Sequence, residues 1–190
     1  MKKLNYILSA FILFLAFSAC KPKNGADSGD NKDSDKLTFP SAVEYNDFII
    51  SQQENIVKSL LSLADAMNAG VNDDIKSKYE LFGKQCKKSL DTIKKMDSYN
   101  NDTAFRDESI KLFQFYYDIY QKDYKEMVDI IIKGDKIDEK DMTRLEEIKE
   151  SITKRENERD GAFADAQNKF AKENNMQIIP NDLQKDVNKP

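Results

Sequence analysis

Apolar residues recur at intervals of three and four through most of this chain from Ser41 onward, the spacing that gathers them on one face of an α-helix. Tyr45, Ile49, Gln52, Ile56, Leu60, Leu63 and Met67 form the first stripe, widened by Phe48, Val57 and Ala64. Ser41 with Glu44 three residues on has the form of a capping box, and Gly70 suits a left-handed stop, so a first helix is predicted over 41–69. Asn72 or Asp73 can cap a second, in which Ile75, Tyr79, Phe82, Cys86, Leu90, Ile93 and Met96 keep the rhythm to about Ser98. Asp102 can cap a third, with Phe105, Leu112, Tyr116, Ile119, Met127 and Ile130 on its stripe and Gly134 at its end. Asp138 opens a fourth, marked by Met142, Leu145, Ile148, Ile152, Phe163, Ala166 and Phe170, which reaches about Glu173. Gly161 interrupts it, and a kink or break is expected there because glycine is a poor helix former. No useful stretch alternates with period two, so strands are not expected.

Four long amphipathic helices with short connections make chain neighbours antiparallel. The predicted fold is therefore all-α, an antiparallel up-down four-helix bundle over residues 40–179, with 180–190 as a frayed tail.

The first twenty residues follow another pattern. Lys2 and Lys3 precede an apolar run from Leu4 to Phe17, closed by Ser18, Ala19 and Cys20. A basic start, a short apolar middle and small residues before a cut are the order of a secretory signal, and the run falls short of the roughly 20 apolar residues that span a bilayer. The segment Phe17-Ser18-Ala19-Cys20 resembles the lipobox of bacterial lipoproteins, with Phe17 where that motif usually has leucine. The resemblance implies cleavage after residue 19, lipid on Cys20 and attachment to a membrane through that lipid. Residues 20–39 then read as a lipidated cysteine and a disordered acidic tether, since Asp27, Asp30, Asp33 and Asp35 stand among glycine, serine and proline with no apolar periodicity. The glycine and glutamate positions of an EF-hand are missing from these aspartates.

Composition narrows the chemistry. The 190-residue chain carries a net charge of −4 and would be two charges more negative without Lys2 and Lys3. No dense basic patch offsets this, so nucleic acid is not an expected partner. The chain has two cysteines and no histidine. Lipid on Cys20 would leave Cys86 alone, in the middle of an apolar stripe where a buried thiol is expected. Without histidine, Ser-His-Asp and Cys-His catalysis, His-ligated zinc and the Glu-x-x-His ligands of di-iron bundles are all excluded. No catalytic residue, metal ligand or cofactor is assigned.

Three weaker sites remain. The turn holding Arg155, Glu156, Glu158 and Arg159 interrupts the fourth stripe, and antiparallel register brings it near Gln52, Gln53 and Cys86. A polar layer of Gln52, Gln53 and Arg159 could fix register or bind a small ligand, because charge inside a bundle must find a partner, or its side chains could reach out to solvent. In the third helix Tyr116, Tyr117, Tyr120 and Tyr124 share one broad face with Phe113 while Phe115 points elsewhere, which makes either an aromatic platform or bulky core. Asp102-Thr103-Ala104 resembles a short O-glycosylation motif of exported bacterial proteins, placing a sugar on Thr103, and serves equally as a helix cap.

Two further stretches, 42–49 (AVEYNDFI) and 163–172 (FADAQNKFAK), resemble the opening and closing segments of a family of uncharacterised bacterial surface lipoproteins. That resemblance implies a helical envelope lipoprotein and transfers no catalytic residue. Lys21 stands where some inner-membrane lipoproteins carry aspartate, and the acidic tether resembles surface-export signals. The expectation is a non-enzymatic outer-membrane lipoprotein, facing the periplasm or, with slight preference, the cell surface. Its helical module would bind an unknown envelope or host-side protein or serve a structural role. A small-ligand binder is the alternative, and an enzyme of unknown type the remaining one.

Overall fold

The computed structural model describes residues 18–19 and 36–180. Cys20, nearly all of the leader and tether, and the tail beyond Pro180 lie outside the described residues. The described chain is all-helical, with four helical rods. The first is α1 (Ala42–Ala69) and the second α2 (Asn72–Lys94). The third is made of α3 (Ala104–Ile119), a π turn (Tyr120–Tyr124) and α4 (Lys125–Ile131) in unbroken succession. The fourth is α5 (Glu139–Glu173), about 50 Å long at 1.5 Å per residue.

Local chemistry sets most of the ends. Ser41 is extended, and its hydroxyl accepts the Glu44 N–H at 3.2 Å. Gly70, at φ 72°, closes α1 by donating its N–H to the Ala66 carbonyl; a side chain is disfavoured in that left-handed conformation. α5 has the full reciprocal box: Asp138 accepts from the Asp141 N–H at 2.8 Å while Asp141 accepts from the Asp138 N–H at 3.4 Å. Asp102 supports the start of α3 by accepting the Ala104 N–H at 2.8 Å.

Three expectations are corrected. α2 takes its cap position at Val71, with no side-chain cap, and Asn72 instead donates to the Ile132 carbonyl at 3.1 Å. Its end comes at Lys94, short of Ser98, because the segment before α1 captures the backbone there: the Leu37 N–H donates to the Lys95 carbonyl and the Asp97 N–H to the Leu37 carbonyl, at 2.8 and 2.9 Å. Met96 stays buried although it has left the helix. Asn100 and Asn101, both with positive φ, then make the tight turn closed by Tyr99 and Asp102, a conformation asparagine tolerates. Finally, the break expected at Gly161 does not occur: α5 continues through it as one helix. Buried Ile152 and Phe163 on either side outweigh the roughly 1 kcal/mol that a mid-helix glycine costs.

Among the described residues, extended pairing is limited to single bridges and a two-residue antiparallel ladder joining Ser18–Ala19 to Ile179–Pro180. The helices hold one another through their apolar stripes, and each fully buried ring or branched chain contributes about 1.5–3 kcal/mol. At one end Tyr45, Tyr99, Phe105, Phe163 and Phe170 pack ring on ring, with Phe39 against Tyr45. In the middle of α2, Phe82 packs edge-on with the rings of Tyr120 and Tyr124. Polar contacts record which ends meet. The Tyr45 hydroxyl, at the start of α1, donates to the Asp97 carbonyl just past α2. Tyr79, early in α2, donates to the Tyr120 carbonyl. Arg144, early in α5, grips both oxygens of Glu126 in α4 at 2.7 and 2.9 Å.

Candidate functional site

Midway along the rods the apolar interior gives way to polar groups. Glu156 and Asp160, one turn apart on α5, are only 8 and 6 % exposed, and Gln53 of α1 is 2 % exposed. The Tyr116 hydroxyl of α3 donates to Glu156 Oε1 at 3.4 Å. The position of Gln53 follows from a second buried contact, in which Gln167 Nε2 donates to Asn46 Oδ1 at 2.8 Å. If α1 and α5 run antiparallel from that contact, seven residues forward along α1 and seven back along α5, about 10 Å in each case, bring Gln53 and Asp160 to the same level. Gln53 Oε1 and both carboxylate oxygens of Asp160 are buried without a hydrogen-bond partner.

This layer is rich in acceptors and poor in donors. Among the described residues no cation enters it: Arg155 turns away to Asp123 at 2.7 Å, with its guanidinium over the Phe115 ring. Burial pushes the Glu156 carboxyl up to about 7, against the lowering effect of the Tyr116 hydrogen bond. Burial, followed by the negative charge of Glu156, pushes Asp160 up to about 8. Burial also raises the Tyr116 and Tyr124 phenols, with the neighbouring carboxylates adding to the effect. The Cys86 thiol, fully buried beside these tyrosines, is raised by burial and remains protonated at neutral pH. Among the described residues no group of three or more histidine, cysteine, aspartate or glutamate side chains could hold a metal ion.

The residues singled out in the sequence are distributed unevenly around this layer. Gln53 lies inside it. Gln52 is half-buried and tied to α2, where the Ser89 hydroxyl donates toward its carbonyl and its side-chain oxygen, both at 3.2 Å. Arg159 is exposed and takes no part. Glu156, noted within the interrupted turn, and Asp160 take the inward positions. The signal for them was present: from Ile152, steps of four, four and three lead through 156 and 160 to Phe163, so the stripe continues with acids in place of apolar residues.

The tyrosine face divides. Tyr116 and Tyr124 are core, whereas Tyr117 and Tyr120 are half-buried and stack at 6.0 Å between ring centroids. Phe115, expected to point elsewhere, is buried as well. The π turn takes an extra residue per turn, so a uniform 100° wheel cannot carry the face across it. Thr103 sits half-buried at the cap position of α3. Cys20 lies outside the described residues.

No protein-family model, curated protein or solved structure matches the chain. No helix among the described residues is long and apolar enough to cross a membrane.

Proposed function

We propose that this chain is a lipid-anchored protein of the bacterial outer membrane, whose helical domain works without catalysis as a tethered module that binds a protein partner or holds a structural position. The observation that carries the reading is the order at the N-terminus: Lys2 and Lys3, an apolar run, then Ser18, Ala19 and Cys20. Lipid on Cys20 would anchor the domain through the acidic residues that lead up to Lys36. The interior supports a binding or structural role over catalysis, because the one remaining thiol and the most buried phenols are held protonated by burial. The rods are inferred to close as an antiparallel up-down bundle, which accounts for the pairings of opposite ends at Tyr45 with Asp97, Tyr79 with Tyr120, and Asn46 with Gln167.

Metabolic labelling with an alkyne fatty acid in a bacterial host tests the anchor. The natural chain should take up label and partition with membranes, and Cys20→Ser should lose both. Equal labelling of the two would overturn it. Protease shaving of intact cells then distinguishes orientation: digestion without breaching the outer membrane places the domain on the surface, and protection places it in the periplasm.

A further inference from the structure

We propose that Glu156 and Asp160, with Gln53 opposite and Tyr116 beside them, form an internal proton-binding site that holds one proton at neutral pH and makes the helical domain loosen as the pH rises. The geometry demands a donor. Asp160 presents two buried carboxylate oxygens and Gln53 one buried amide oxygen, all without a partner, while the Tyr116 hydroxyl is directed at Glu156. Two like charges one helical turn apart in a water-poor interior repel each other, and among the described residues no cation offsets either. One proton answers both needs. It removes a charge and turns Asp160 from an acceptor into a donor within the layer, and it requires no cavity.

The groups facing this pair come from every packed element. Tyr116 and Tyr124 approach from the third rod and Cys86 lies behind them on α2; burial keeps all three neutral. Gln53 of α1 does not titrate. On α5 itself Arg155 is engaged with Asp123 and Arg159 is exposed. The proton is therefore governed by burial and by the two carboxyls themselves.

The sign of the linkage follows. Both carboxyls are raised in the folded chain, so between roughly pH 4, where they titrate when unfolded, and pH 8 the folded state binds more protons than the unfolded one. Stability from this site is complete below the unfolded values and is lost as pH rises through the folded ones. The carboxylates held low by surface partners, Glu126 and Asp141, act below this window and in the opposite direction. The site is independent of lipid on Cys20.

Urea unfolding of the full chain at intervals from pH 5 to 9 tests the proposal. The unfolding equilibrium constant should rise with pH, by up to about tenfold per unit where one extra proton is bound by the folded state, and level off above pH 8. Asp160→Asn should flatten this rise and make the protein more resistant to urea at pH 8.5 than the natural chain. Glu156→Gln, which keeps Asp160, provides a second test and should reduce the rise by lowering the Asp160 midpoint. Carboxyl-carbon NMR of the natural chain gives a direct reading, with the Asp160 signal titrating well above pH 5. A pH-independent unfolding constant across the window, the same pH profile in natural and Asp160→Asn chains, or an Asp160 signal titrating near pH 4 would each overturn the proposal.

Discussion

Among the described residues two glycines, Gly83 and Gly161, stand inside α-helices, and their surroundings demand opposite outcomes from the same substitution. At Gly161, on the exposed side of α5, an added Cβ meets nothing within 4 Å. Gly161→Ala should gain about 1 kcal/mol from helix propensity alone, visible as a higher urea midpoint. At Gly83 an added Cβ would enter the ring of Tyr120. That ring cannot simply swing away, because Tyr79 packs against it at 4.7 Å and Phe82 meets it edge-on. Overpacking of this kind costs about 1–3 kcal/mol, enough to offset the propensity gain, so Gly83→Ala should destabilise by up to about 2 kcal/mol in the same assay. A midpoint for Gly83→Ala at or above that of the natural chain would show that the close approach of α2 and the π turn is not required. The sequence marks both residues alike as glycines in an apolar rhythm. What separates them is a neighbour 37 positions away, which no local pattern contains.

At the scale of the element, the ends were legible wherever a side chain makes them. Ser41, Gly70 and Asp138 stand at the helix boundaries their chemistry suggests, and α5 begins and ends where its stripe does. Boundaries made by the backbone were not legible: α2 stops at Lys94 because Leu37 takes up the exposed peptide groups, and the π turn redirects the third rod with no residue signature at Tyr120–Tyr124. The difference gives the reciprocal Asp138–Asp141 box an expected weight. Asp138→Ala removes the acceptor for the Asp141 N–H and should cost about 1 kcal/mol, measured by urea unfolding. Asp138→Asn, which keeps an oxygen in place, should recover most of that loss. If Asn fares no better than Ala, the cap is not what starts α5.

Across the whole molecule, apolar stripes bring the rods together but do not choose a register, since a helix displaced by one turn still presents an apolar face. Buried polar contacts discriminate more sharply because a displaced donor loses its acceptor at a desolvation cost of about 1–3 kcal/mol. Such contacts between rods include Asn46 with Gln167 and Tyr116 with Glu156, both buried, and the part-buried pairs Ser89 with Gln52 and Tyr79 with Tyr120. A central polar layer could be placed from the interruptions in two stripes, but the inward members could not, because a turn holding Arg155, Glu156, Arg159 and Asp160 allows more than one helical phase. The flanking apolar residues settle that phase, and they select the acids. The contact with the longest chain separation then offers the strongest test of register. In a double-mutant cycle on Asn46→Ala and Gln167→Ala, the two losses should be non-additive, with a coupling of about 1 kcal/mol or more. Additive losses would mean that the first and last helices do not meet at these residues, and with them would fall the placement of Gln53 opposite Asp160.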